Sequence, residues 1–212
     1  MNEKLLKYQK PIRIIIVIAA ITGFILNSLG SRTPFRQYAY FTIQSNIMVA
    51  TVYLILLIKK ADSKFLQVIK TQATVAIILT GLVYNLMLRP YLDGIDYEPD
   101  TLSDLLVHTI TPILVIIEYI CFQKTNRTPW YFPLYNLIFP LVYWLFTLVY
   151  VVLGGNFNGE DYTSNYPYFF LNFAEFGIGY FLLVLAFILF ISYLLFFVNA
   201  IFYKKRVSER RT

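Results

Sequence analysis

The chain has 212 residues, 58% of them apolar when Tyr is counted and only 14% charged, against about 25% charged in an ordinary soluble domain. With several apolar stretches near 20 residues, that composition excludes disorder and argues against a soluble fold. The length suits one membrane bundle without an added soluble domain, and the net charge of +6 is sorted between loops rather than gathered into a nucleic-acid surface.

Six stretches predict transmembrane helices, over residues 12–30, 38–58, 71–88, 104–122, 132–153 and 177–203, in an all-α bundle forming a single domain, 1–212. The first follows Lys4, Lys7, Lys10 and Arg13 and so has the look of a signal peptide. Asn27-Ser28-Leu29-Gly30-Ser31 is a poor small-residue cleavage site, so the stretch is expected to stay as the first span. Fifteen Lys and Arg fall in the N-terminus, the second and fourth loops and the tail, against Arg32, Arg36 and Arg89 on the other side. This bias places both termini in the cytoplasm, as an even number of spans requires. The basic clusters can touch anionic headgroups, which makes membrane lipids the expected partner and nucleic acid an unnecessary one. Pro90, Pro99 and Gly154-Gly155-Asn156 mark helix ends. The fifth loop carries Tyr162 and Tyr166-Pro167-Tyr168-Phe169-Phe170, an aromatic segment suited to the bilayer interface or to a lid. Cys121, the one cysteine, allows no internal disulfide, and no metal or cofactor motif is present.

Polar groups inside a span are costly unless paired, so their positions carry the information that Leu and Ile do not. In the second span Thr42, Ser45 and Asn46, at i, i+3 and i+4, share one helical face. The fourth carries Asp104 and His108 at i, i+4, with Thr111 beside them, and the third leaves through Tyr84, Asn85, Arg89 and Pro90. At about 1.5 Å per residue, Thr42, His108 and Asn85 each lie about 5–6 Å inside the outer boundary, at one level. Ser45, Asn46, Asn85 and Thr111 also suit interhelical hydrogen bonding, and Arg89 suits an interfacial cap or a lipid anion. His108 is the only histidine and sits within an apolar helix. Glu118 lies ten residues further on, about 15 Å from it and too far to orient it. That carboxylate is expected to snorkel to water, pair with Lys124 or couple a proton or ion. Asn136, Tyr143 and Trp144 are expected to pack.

Tyr40-Phe41-Thr42 and His108-Thr109-Ile110-Thr111-Pro112 resemble the two functional stretches of the androgen-induced family of six-span membrane proteins, and the resemblance in span pattern covers nearly the whole chain. Phe41-Thr42-Ile43-Gln44-Ser45-Asn46, Gly81-Leu82-Val83-Tyr84-Asn85, Arg89-Pro90 and Tyr166-Pro167-Tyr168 read like recurring blocks of its bacterial branch. That family includes animal threonine hydrolases of fatty acid esters of hydroxy fatty acids. The resemblance implies Thr42 as nucleophile, His108 as its base, a hydrophobic ester as substrate and a bacterial plasma membrane as location.

The chemistry also stands without the family. A threonine hydroxyl needs an adjacent base, and an imidazole with an ordinary pKa near 6.5 can accept its proton at neutral pH. Asp104 either fixes the imidazole tautomer or sits in water, and Ser45, Asn46 and Asn85 are the candidate oxyanion donors. The same residues also permit a second reading, a lipid- or small-molecule-binding transporter-like module in which His108 and Asn85 line a polar pocket and no covalent bond forms. A scaffold or partner protein is the third.

Overall fold

The computed structural model describes residues 3–31, 34–59, 63–91, 101–122, 128–157 and 164–209, and every regular element among them is helical. Six helical stretches are long and apolar enough to cross a membrane: Leu6–Gly30, Phe41–Ile58, Lys64–Leu88, Leu102–Phe122, Phe132–Val152 and Gly179–Tyr203. They are compatible with an integral membrane protein. Arg32, Lys60, Lys124, Arg127, Arg210 and Arg211, which entered the expected charge sorting, lie outside the described residues, as do Pro99 and Tyr162. The chain divides into two compact units, 1–123 and 124–212.

Unit 1 holds α1 (Glu3–Gly30), the short α2 (Pro34–Gln37), α3 (Phe41–Ile58), α4 (Lys64–Val83), the short α5 (Leu102–Leu105) and α6 (Thr111–Phe122). A π turn, Tyr84–Leu88, extends α4, and another, Leu106–Ile110, joins α5 to α6. The apolar centre is Ile16 and Ala20 of α1, Val49 of α3, Ala73 and Ile77 of α4 and Val115 of α6, all fully buried. Two helices start earlier than hydropathy predicts. The first helix runs through Pro11 and Arg13, and α4 begins at Lys64, where the Ser63 hydroxyl accepts the Leu66 N–H at 3.1 Å as a side-chain cap. The α4 extension brings Lys70 into the bundle, and Arg13, counted above with the N-terminal charges, also lies inside it, because a carboxylate waits there.

That carboxylate is Glu118. Its Oε1 accepts from Arg13 Nε at 2.8 Å, and its Oε2 meets Lys70 Nζ at 2.7 Å and accepts from Tyr53 Oη at 3.0 Å. Glu118 is 0% exposed, so it does not snorkel to water; Lys124, the expected partner, lies outside the described residues, and the two cations that meet the carboxylate come from α1 and α4. Hydropathy counts Arg13 as a flanking charge; the fold uses it as an internal one.

Unit 2 holds α7 (Ile138–Val152), preceded by a 3-10 turn (Phe132–Leu137), the short α8 (Phe173–Phe176) and α9 (Gly179–Glu209). It is held by aromatic contacts: Trp144 of α7 packs on Phe173 and Phe181 with ring centroids 6.0 and 5.0 Å apart. Tyr168 stacks on Phe170 at 5.3 Å and meets Tyr143, so this part of the fifth loop lies on the unit's own helix. Asn136 is buried in the 3-10 turn. A Cβ at Gly155 would lie 2.4 Å from Tyr150 Cε1, so any larger residue there would have to displace that ring.

Candidate active site

The site lies at the end of unit 1 where α3 begins and α4 ends. Tyr40, in extended conformation, caps α3 without a side-chain bond, which puts Thr42 in the first helical turn, half-buried. Its Oγ1 lies 3.3 Å from His108 Nε2, and His108 Nδ1 lies 2.8 Å from Asp104 Oδ1. An ionised carboxylate only accepts, so Nδ1 carries the hydrogen and Nε2 presents its lone pair to the threonine hydroxyl. Asp104 is 3% exposed, held in the first turn of α5 beside Thr101, whose hydroxyl accepts the Asp104 N–H at 3.3 Å. Thr42, His108 and Asp104 thus form one continuous hydrogen-bonded chain. Its outer link is at the loose end of the range for a nucleophile and base without substrate.

The π turn that carries His108 follows from Pro112. The Thr111 N–H bonds to Leu106 O, five residues back. Val107 O loses its ordinary donor by that shift, and its five-residue donor would be Pro112, which has no N–H. His108 O loses its four-residue donor for the same reason. Two asparagines fill both gaps: Asn46 Nδ2 donates to Val107 O at 3.2 Å, and Asn85 Nδ2 donates to His108 O at 3.1 Å. Asn46 also donates to Thr42 O at 2.8 Å and Asn85 to Gly81 O at 2.8 Å. The Ser45 hydroxyl donates to Thr42 O at 2.9 Å and lies 2.9 Å from Thr80 Oγ1, which itself donates to Ala76 O. The side chains nominated as oxyanion donors therefore have their hydrogens on main-chain carbonyls and frame the site.

Sequence reasoning did not nominate Tyr84, Gly81 or Gly23. The Tyr84 ring stacks on the imidazole, centroids 3.6 Å apart and planes 10° from parallel, and fixes its plane. A Cβ at Gly81 would lie 3.1 Å from His108 O and Pro112 Cβ, and one at Gly23 would lie 2.8 Å from Val107 Cγ1. Small residues thus let α1 and α4 close on the turn that bears the histidine. Pro90 follows the Tyr84–Leu88 π turn as Pro112 follows the other, two residues beyond its end, and this repeated spacing is the signal a sequence reader could have used. The Arg89 N–H closes that turn on Tyr84 O, and its half-buried side chain stands at the same end of the unit. Thr111 is fully buried beneath His108. Among the described residues no group of three His, Cys, Asp or Glu could hold a metal. Comparison of the chain with family models, curated proteins and solved structures found no match.

Proposed function

We propose that the protein is an integral membrane hydrolase of lipid or fatty acid esters, with Thr42 as nucleophile, His108 as general base and Asp104 as its orienting carboxylate. The observation that carries this reading is the Thr42–His108–Asp104 chain, with links of 3.3 and 2.8 Å, inside a bundle of apolar helices. Thr42 Oγ1 attacks the ester carbonyl while its proton passes to His108 Nε2, and Asp104 steadies the imidazolium that forms. The tetrahedral intermediate expels the alcohol, which takes the proton from His108 and leaves an acyl-threonine. Water, deprotonated by His108, attacks that acyl group; the threonine regains its proton and the acid departs. The Ile43 and Gln44 N–H groups bond to Tyr40 O, so the oxyanion is met by the Thr42 N–H at the start of α3, where the helix dipole favours negative charge. The ester enters sideways from the bilayer, its chains against the lipid-facing Leu, Ile and Phe. The charge sorting supports cytoplasmic termini and a site in the outer leaflet, and the sequence blocks support the bacterial branch of the androgen-induced family, in a plasma membrane.

The test is labelling by a fluorophosphonate and turnover of a fluorogenic medium-chain ester, in wild type, Thr42→Ala and His108→Ala. Both variants are expected to stay folded, lose the label and lose turnover by about 10⁴-fold. Equal labelling and turnover in all three proteins would remove the chemistry. Saturable ester binding without turnover in wild type would favour the binding-module reading, in which no covalent bond forms.

A further inference from the structure

Five hydroxyls of the long helices take the same partner. Thr71, Thr74, Thr80 and Thr147 each donate to the main-chain carbonyl four residues back, at 2.9 to 3.1 Å, and Ser192 does so at 2.7 Å. Thr111 does not. It is 0% exposed, and its Oγ1 has no hydrogen-bond partner among the described residues. The cause lies in the π turn before it. The wider winding carries Val107 O away from the Thr111 hydroxyl, and the two carbonyls in that hydroxyl's usual reach, Val107 O and His108 O, are met instead by Asn46 Nδ2 at 3.2 Å and Asn85 Nδ2 at 3.1 Å.

Asn46 is in the complementary state. Its Nδ2 is engaged twice, on Thr42 O and Val107 O, while Oδ1 of the same amide, also on a residue 0% exposed, has no donor among the described residues. Asn46 reaches Val107, and Thr111 follows Val107 by one turn, so a hydroxyl hydrogen without an acceptor and an amide oxygen without a donor share one corner of the bundle without bonding to each other. Each is costly in an apolar interior unless something small and polar completes it. We infer that Asn46 and Thr111 bind one water molecule between α3 and the start of α6, a layer beneath Thr42 and His108. The water accepts the Thr111 hydrogen and donates to Asn46 Oδ1, and the second lone pair of Val107 O suits its other hydrogen; about three bonds is the usual number for an interior water. A cation is a poorer match, because it would stand beside the hydrogens of Asn46 Nδ2 and leave the Thr111 hydrogen unserved. Bound there, the water keeps Oδ1 from exchanging places with Nδ2, so the amide goes on joining Thr42 O of α3 to Val107 O of the turn that carries His108. The inference rests on these hydrogen bonds alone and uses nothing of the proposed ester chemistry.

The experiment pairs a crystal structure of the full-length protein, at a resolution that shows waters, with thermal unfolding in an uncharged detergent. In wild type one density peak is expected within about 2.7–3.2 Å of both Asn46 Oδ1 and Thr111 Oγ1, and in Thr111→Val it should be gone. The same substitution decides by the sign of its effect on stability. Valine has the shape of threonine, so if the Thr111 hydroxyl bonds nothing, its removal raises the unfolding midpoint; if it holds a water, removal strands Asn46 Oδ1 and lowers the midpoint by about 2–4 °C. Thr111→Ser keeps the hydroxyl and should keep the peak. The assignment is overturned by a wild-type structure without the peak, by a direct Asn46–Thr111 hydrogen bond, or by a raised midpoint in Thr111→Val. A wild-type midpoint that rises with sodium chloride but not with choline chloride at equal concentration would give the site to a cation and overturn it as well. Should Thr111→Val fail to fold, the wild-type peak and its retention in Thr111→Ser carry the test.

Discussion

The two polar layers of unit 1 stand on the same helices at matching intervals. Along α3, Thr42 and Asn46 give way to Val49 and then Tyr53; through the Leu106–Ile110 turn and α6, His108 and Thr111 give way to Val115 and then Glu118. The layer with Thr42 is built from hydroxyls, amides and one imidazole, and its chain of hydrogen bonds ends on a half-buried oxygen. Around Glu118 the contacts run between full charges, and the carboxylate they meet is completely enclosed. One arrangement leaves a proton free to change hands, while the other fixes three helices about a single carboxylate. Substitutions in the first layer should therefore cost chemistry, and substitutions in the second should cost stability.

Glu118→Ala is the severest break, because it leaves Arg13 and Lys70 buried without their anion. A loss of about 3–5 kcal/mol is expected, read as a lowered unfolding midpoint in detergent, while the fraction that remains folded still takes the fluorophosphonate. Undiminished stability would mean that the cluster does not hold the helices. Asn85→Leu strips the donor from His108 O, the carbonyl that Pro112 cannot serve. About 1–3 kcal/mol of stability should go, with slower labelling of Thr42 because the imidazole shifts. Labelling at the wild-type rate would show that Asn85 only joins helices. Tyr84→Leu is the mildest: the stacked ring contributes about 0.5–1.5 kcal/mol, so stability falls little, and turnover should drop several-fold with KM nearly unchanged. A change confined to KM would place Tyr84 against substrate instead of behind His108.

Much of this was legible in the chain. Continuous apolar runs located six long helices, since a helix facing lipid needs no polar side to reveal it. The i, i+4 spacing put Asp104 and His108 on one face, and the distance between His108 and Glu118 correctly separated two layers. Arg13 and Lys70 misled, because a charge near the end of a hydrophobic run reads as a flank unless its partner, more than forty residues away in sequence, is known. The stacking of Tyr84 on His108 was hidden for the same reason. For Asn46 and Asn85 the residue types suit both interhelical bonding and oxyanion donation, and their hydrogens go to carbonyls of the neighbouring turn, as the first use expects; spacing gives a side chain's level but not the carbonyl it meets. Pro112 held the missing clue, since it removes the donor of the carbonyls that Asn46 and Asn85 then serve.

The apolar layer of Val49, Ile77 and Val115 has a consequence for the cell. A bundle with titratable groups near both faces of an energised membrane risks becoming a wire along which protons leak and the ion gradient runs down. A dry, closely filled floor of branched hydrocarbon breaks any file of water between the two ends, so the hydrolysis proposed for the Thr42 end would not short-circuit a membrane around the bundle.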